Sequence, residues 1–370
     1  IESPPGGTHV PRGRAFVGGW AMGTEGPMTE VLVLVDGRRA MAARVGSDHL
    51  VREDVAAMYP GVPAGERSGW DAVVDVRWVE GPTATLSVLG RTGAGDWVEL
   101  DRAQIEVDRP ISPSGGRRAV FTIMQNEPRF LPLWLRYYGA HFDAPDMYVL
   151  DHDSDDGSTQ GLDERCNVVA VHRDVSFDHM WLNGIVEDFQ AFLLRSYDTV
   201  LFTEADEFIV ADPERYAGLG EYIERMEGLF ARCTGYNVVH YPDEPPLRFE
   251  EPILRQRRYW HPSPQWYSKR VLSRIPLSWH IGFHQEFNVP EVEPDPGLCL
   301  IHLHRVDYEY CLARHRAVVG REWHADDRKF NLGWHYRIVE TDEFRDWFFH
   351  GKDLEGTERE LIPDRIRDAL

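Results

Sequence analysis

The sequence is short of several things that large classes of function require. Positive charge is one: 40 Lys and Arg stand against 61 Asp and Glu, a formal net charge of −21. Broad electrostatic binding to DNA, RNA or an anionic membrane needs clustered Lys and Arg, so the balance argues against those partners. A phosphate-bearing ligand would then need local compensation from a metal or a few basic residues. Cysteine is scarce, with four in 370 residues and no CxxC or CxxxC pair, so neither a zinc knuckle nor a dense disulfide framework is indicated. No apolar run approaches the roughly 18–20 residues that span a bilayer, and a charged-then-apolar leader pattern is missing; the expected compartment is the cytoplasm. GxxxxGK[ST] and GxGxxG are both absent, which speaks against a P-loop kinase or a dinucleotide oxidoreductase. His280 and His284 stand four apart, but "WHIGFH" contains Gly282 and no HExxH glutamate, and zinc is discounted.

Hydrophobic residues, at 42%, supply a proper core, and the length suggests two or three domains. From Arg14 to about Val107 the chain reads as short strands and turns, among them "TEVLVLVDGRR", "SGWDAVVDVRWV" and "TATLSVLGRT". Period-two alternation with Gly-rich punctuation about every ten residues predicts a small antiparallel β-sandwich over 1–110, with "DHLVREDVAAMYP" as a helical crossover. It groups no nucleophile with a base and gathers no metal ligands, and reads as an accessory module. "VDRPISPSGGRR" lacks periodicity and is rich in Pro, Ser and Gly, so 111–118 is a linker. From 119 to 370 strands alternate with helices. The helix "WLNGIVEDFQAFLLRSY" shows an apolar stripe of Trp181, Ile185, Phe189, Phe192 and Leu193. Such alternation predicts an α/β fold, a mixed, mostly parallel sheet flanked by helices, whose ligand crevice lies beyond the C-terminal strand ends. A charged extension begins at about Val318.

Three of these strands run into polar clusters: "QNE" (Gln125, Asn126, Glu127), "DHDSDDGS" (Asp151 to Ser158) and "EADE" (Glu204 to Glu207). Carboxylates at buried strand ends need a positive or hydrogen-bonding partner. If the strand stays extended, Glu204 and Asp206 point to one side and can share a hard divalent cation, Mg2+ or Mn2+, that bridges carboxylates to phosphates. Lys269 and Arg270 are the nearest basic pair suited to a diphosphate.

The order "FTIMQNEPRFLPLWLRYYGAHF", "MYVLDHDSDDGS" and "WLNGIVEDFQAFLLRSYDTVLFTEADEFIVADP" resembles the family-2-like bacterial glycosyltransferases of the GT-A (Rossmann-like) fold, over most of Arg118 to about Asp307. The resemblance implies transfer of a sugar from a nucleotide-diphosphate sugar to a hydroxyl-bearing acceptor, a carbohydrate or other small molecule. It places Asn126 and Glu127 beside the nucleotide, makes Asp151 and Asp156 the nucleotide-loop aspartates, and makes Glu204 with Asp206 the metal motif, Glu replacing the first Asp of the simplest pattern. It also implies a histidine in the metal site, His302 or His304, with His302 preferred. An inverting reaction needs a base, for which Glu286, Glu244 and His284 are candidates, Glu286 first by analogy; a retaining one does not. Two other readings compete: a carbohydrate- or nucleotide-sugar-binding scaffold without catalysis, and a nucleotidyltransferase, against which the acidic, Gly-free "QNEPRF" speaks.

Overall fold

The computed structural model describes the chain apart from residues 12, 38, 77–78, 80, 108–115, 163 and 173–175. Two compact units divide it, Ile1–Ser112 and Pro113–Leu370. Residues 111–115 of the expected linker lie outside the described residues. Among the described residues no helix is long and apolar enough to cross a membrane.

In the first unit, β1 (His9–Val10), β2 (Arg14–Trp20), β3 (Glu30–Val35), β4 (Arg39–Val45), β5 (Gly69–Asp75), β6 (Thr83–Arg91) and β7 (Trp97–Val107) bond in the order β1-β7-β6-β3-β4-β5-β2. Alternation does the work expected of it. Val31, Val33 and Val35 of β3 are buried and join Val17, Trp70, Val74, Leu86 and Ile105 in one core. The expectation of two facing sheets needs correction. β4 pairs with β3 through residues 39–43 and with β5 through Arg44 and Val45, so a strand that changes neighbours carries one continuous sheet around the core. Helix α1 (Glu53–Met58) connects β4 to β5.

The second unit opens with β8 (Arg118–Met124), α2 (Phe130–Tyr138), β9 (Met147–Asp151), β10 (Asn167–Ala170), α3 (His179–Leu193) and β11 (Thr199–Phe202). It continues with β12 (Glu207–Ala211), α4 (Leu219–Arg225), β13 (Phe230–Ala231), β14 (Cys233–Val238), β15 (Tyr259–Pro262), β16 (Leu272–Ser273) and β17 (Asp295–His302). It closes with α5 (Tyr308–Val318), α6 (Ala325–Lys329), α7 (Thr341–His350) and β18 (Glu360–Leu361), followed by a last short helical turn. β10, β9, β8 and β11 are parallel neighbours in that order, extended by antiparallel β16 and β13. Both faces are covered: Ala119 and Phe121 pack with Val186 and Leu193 of α3, while Val120 and Met124 pack with Leu131 and Trp134 of α2.

Two expectations fail here. The apolar run around Glu204 is not one strand, because β11 stops at Phe202 and β12 belongs to a different sheet, ordered β12-β17-β14-β15-β18. The expected single sheet, mixed and mostly parallel, is therefore two mixed sheets, and the acids sit in the turn between them. The buried stripe of α3 is only partly the one expected: Leu193 is buried and Ile185 and Phe189 pack against the core, but Asn183, Val186 and Gln190 are the other inward residues and Phe192 is 60% exposed. Asn183 Nδ2 donates to the Trp279 carbonyl at 2.8 Å, and Gln190 Oε1 accepts from the Leu277 N–H at 2.8 Å. Buried polar side chains are tolerated because they satisfy the backbone of the segment laid across them.

Candidate functional site

Because β8, β9 and β11 are parallel, the segments after them share one rim. Asn126, just past β8, has φ +56°, a conformation Asn adopts more readily than most residues. Its Nδ2 donates to Asp155 Oδ1 at 2.8 Å, and its Oδ1 accepts the N–H groups of Asp155 at 2.9 Å and Asp156 at 3.3 Å. Asp151 accepts from the Ser154 N–H at 2.9 Å and the Thr159 hydroxyl at 2.6 Å. Asp156 accepts from the Ser158 N–H at 2.9 Å. The aspartates shape this loop, and Asn126 ties it to β8.

The turn after β11 separates acids that an extended strand would have kept together. The Glu204 carbonyl accepts the Glu207 N–H at 3.0 Å. Glu207, completely buried, binds Lys269 Nζ, which also lies 3.1 Å from Glu204. Burial works against charge on Lys269, but Glu207 and Glu204 outweigh it and hold it protonated. Lys269 therefore neutralises buried carboxylates and is not free for a diphosphate. Arg270 is spent likewise, on Glu286 and on Glu291 at 2.6 Å. Glu204, expected as a metal ligand, instead meets Lys269 with a carboxylate 39% exposed.

Asp206 lies at the centre of the rim, 6% exposed. Arg314 of α5 reaches it at 2.9 Å and reaches Glu127 at 2.5 Å, so one guanidinium bridges acids from two strand ends. Burial opposes ionisation of Asp206, yet the Arg314 guanidinium holds its carboxyl well below the usual range. His304 Nδ1 lies 3.5 Å from its Oδ2 and 3.3 Å from Arg314. A proton-ordered chain leads away from there. His304 Nε2 meets His315 Nε2 at 3.2 Å, and His315 Nδ1 meets the Ile338 carbonyl at 3.1 Å.

His302, at the end of β17, stands in register with Glu207 on one side and Asn237 on the other. Its Nδ1–H donates to Asn237 Oδ1 at 2.7 Å. Burial, reinforced by Lys269, Arg305 and Arg314, pushes its pKa down to about 3 against the pull of Asp206, so the ring is neutral. The Nε2 lone pair is left facing Asp206 Oδ1 at 3.9 Å. Two acceptors oppose each other with no proton between them. An imidazole whose far nitrogen is anchored by an amide oxygen beside a carboxylate has the arrangement of a metal ligand. Asp206, His302 and His304 form a set of buried groups whose ligand atoms lie within 4.8 Å of one another.

Two cavities meet at Asp206. One, of about 850 Å³, is lined by Gln125, Asn126, Glu127, Asp155, Asp156 and Arg314. The other, of about 300 Å³, is lined by Trp266, Trp323, Trp334, Trp347, His284 and His302. Glu204, Asp206, Arg321 and Tyr336 border both. The C-terminal extension thus supplies walls to both cavities. Of the expected bases, Glu286 borders neither cavity and is a brace for Arg270, accepting also its N–H at 3.0 Å. Glu244 accepts the N–H groups of Arg258 at 2.7 Å and Tyr241 at 3.0 Å, which makes it a turn former. His284 does border the smaller cavity, with Nδ1 bonded to the Trp266 carbonyl at 2.6 Å. Sequence reasoning missed Arg314, Asn237, Arg321 and Tyr336. None carries a local signal, since each is recruited from 30 or more positions away from the strand-end acids and from an unremarkable context.

No family model matches the chain, and no curated protein does. Solved structures of a cycloalternan-degrading enzyme from Trueperella pyogenes match segments of it. In the complex with cycloalternan the identity is 16%, over 35% of this chain and 17% of that chain, with a TM-score of 0.18. In the complex with a covalent intermediate it is 10%, over 33% of this chain and 16% of that chain, again with a TM-score of 0.18. Likeness at that level carries no argument about fold or function. The resemblance to the family-2-like glycosyltransferases is corrected: no family model and no curated protein supports it, and the chain is assigned to no family.

Proposed function

We propose that the second unit transfers a sugar from a nucleoside-diphosphate sugar to a hydroxyl acceptor, using a divalent cation. The observation that carries the reading is the junction of two cavities at an ionised carboxylate, Asp206, whose Oδ1 faces the His302 lone pair at 3.9 Å. A two-substrate reaction needs adjoining pockets with the reacting centre between them. The larger, at the ends of parallel strands, has the size and polar lining of a nucleotide-sugar pocket, and the smaller has the aromatic lining that suits a sugar ring.

Asp206 Oδ1 and His302 Nε2 would hold the cation, and His304 would join them if Arg314 swings away. Carboxylate with imidazole suits Mn2+ better than Mg2+, which prefers oxygen throughout. When bound, the cation supplies charge neutralisation on the diphosphate leaving group. The chain's own residues do the rest. Asn126 holds the 151–158 loop against β8, Arg314 ties Glu127 to Asp206 at the wall of the larger cavity, which Arg321 also lines, and Asn237 keeps His302 in its tautomer. Lys269 cancels the charge of Glu207, and Asp206 and Glu204 are the acids that border both cavities.

A thermal-shift panel tests this, with UDP, GDP and dTDP and their hexose conjugates, with and without Mn2+. Nucleotide with Mn2+ should raise the melting temperature of the wild type, and Asp206→Asn or His302→Ala should abolish the part that depends on Mn2+. An equal gain without the cation would remove the metal, and no gain with any nucleotide would remove the reading. Binding without turnover over a broad acceptor panel would instead favour a non-catalytic binding protein.

A further inference from the structure

The smaller cavity holds a second arrangement of titratable groups, away from Asp206. His179 is the first residue of α3, and the preceding Asp178 caps that helix by accepting the N–H groups of Met180 at 2.8 Å and Trp181 at 3.1 Å. The His179 N–H turns instead to Asp327 of α6, whose two oxygens lie 3.4 and 3.3 Å away. Asp327 is 1% exposed and also lies 2.9 Å from His179 Nδ1. A buried carboxylate there keeps the proton on Nδ1, fixes the tautomer, and stabilises an imidazolium once one forms. Packing fixes the ring plane: it stacks on Trp323 with centroids 5.8 Å apart at 17°, and meets Phe177 at 4.9 Å and 84°. The ring borders the smaller cavity, and among the described residues nothing bonds to Nε2.

His284, another of the imidazoles lining the cavity, differs. Burial and Lys269 push the pKa of His284 down to about 3, so it stays neutral and can accept a hydrogen bond but not hold a proton. Two imidazoles, one backed by a carboxylate and one by a carbonyl, give the site a base and a neutral acceptor. The walls between them are aromatic: Trp266, Tyr267, Trp323, Trp334, Tyr336 and Trp347. Aromatic faces with a few convergent polar groups suit the C–H faces and hydroxyls of a pyranose ring.

We propose that the smaller cavity takes a saccharide acceptor and that His179, oriented by Asp327, removes the proton from its attacking hydroxyl. The proposal rests on the transfer reading above and adds to it the acceptor class, the base and the stereochemistry. The acceptor oxygen forms a bond to the anomeric carbon of the donor sugar. The bond from that carbon to the diphosphate oxygen breaks, and its electron pair leaves with the nucleoside diphosphate. The hydroxyl proton passes to His179 Nε2 and goes to solvent once the products leave. One displacement inverts the anomeric configuration. Asp327 acts through His179 and is a positioning residue.

The full chain is assayed with Mn2+, UDP-glucose, UDP-galactose and GDP-mannose as donors, and p-nitrophenyl hexosides as acceptors. His179→Asn keeps an N–H near the Nδ1 position for Asp327 but has nothing at Nε2. It should slow transfer by about 100-fold or more with the donor-dependent thermal shift unchanged. Imidazole added to His179→Ala should restore part of the rate. Asp327→Asn keeps an oxygen for the His179 N–H and should lower kcat with little change in acceptor KM. NMR of the product should show an inverted linkage. Wild-type rates in His179→Asn and Asp327→Asn, or a retained linkage, would overturn the base while leaving the transfer reading in place. A wild-type protein that gains no stability from any donor, or that binds donors and transfers to nothing, would take down that reading and the proposal together.

Discussion

Arg314 settles the charge balance at the rim. Its guanidinium bridges Glu127 and Asp206 with a side chain only 16% exposed. Removing one partner of a buried pair leaves the other charge uncompensated. Arg314→Met is therefore expected to cost about 3–5 kcal/mol in urea denaturation, and Glu127→Gln in the same chain should recover part of it; a neutral Arg314→Met would mean that water already shares these acids. The histidines behave in the opposite sense. His302 and His284 are pushed down to about 3 and His315 to about 4, in each case chiefly by burial. An unfolded histidine titrates near about 6.5, so between that pH and about 4 the unfolded chain takes up protons that the folded one refuses. Stability is then complete above the unfolded value and falls as the pH drops below it, by up to about 1.4 kcal/mol per pH unit for each ring. Chemical denaturation at pH 7 and pH 5 checks this, and unchanged stability across the interval would show that the folded rings take up protons as readily as the unfolded ones.

Helix α2 holds the two sheets of the second unit together through its aromatic polar groups. Trp134 Nε1 donates to Thr203 Oγ1 at 2.8 Å, just past β11. The Tyr138 hydroxyl accepts the Ile209 N–H at 3.0 Å and donates to the Glu207 carbonyl at 3.1 Å, while the Tyr137 hydroxyl donates to the Ile209 carbonyl at 2.7 Å. β12 is the edge strand of its sheet, and these hydroxyls satisfy backbone groups that no neighbouring strand reaches. Tyr138→Phe should cost about 1–3 kcal/mol, since it orphans a buried N–H and carbonyl; a loss below a few tenths in equilibrium unfolding would argue that water takes the place of the hydroxyl. Helices and strands of this unit were legible where α2, β8, β9 and β11 bury long apolar runs. The break after Phe202 was not, because "TVLF" and "EFIVA" are both apolar and the residues between them read as a continuation. Nor was the inward face of α3, where hydrogen bonds to the 277–280 backbone, a contact between distant residues, decide the orientation of Asn183 and Gln190.

Each unit of the molecule has its own apolar core, with Val17, Val33, Trp70 and Leu86 in one and Val120, Trp134, Leu201 and Leu300 in the other. Residues 116–370 expressed alone should therefore fold cooperatively and keep any nucleotide- and Mn2+-dependent thermal gain of the full chain; a fragment that is folded by circular dichroism but lacks that gain would tie ligand binding to the first unit. At this scale the candidate site was only partly legible. Asn126, Glu127, Asp156, Glu204 and Asp206 do border one cavity, and His284 and His302 border its neighbour. Strand-end acidity pointed to them because parallel strands share a rim. Lys269, Arg270, Glu286 and Glu244 were misjudged because a sequence shows charge and conceals pairing: all are consumed by partners within the fold. The turn from Thr203 to Asp206, where the chain leaves one sheet for the other, has a wider consequence. Asp206, where the two pockets meet, lies in the segment by which the chain passes between the sheets, and that passage is clasped by Trp134, Tyr137 and Tyr138 of α2, none of which borders either pocket. Reactivity in this protein could thus be retuned from behind, by altering tyrosines in the packed interior while every group that greets a ligand stays as it is.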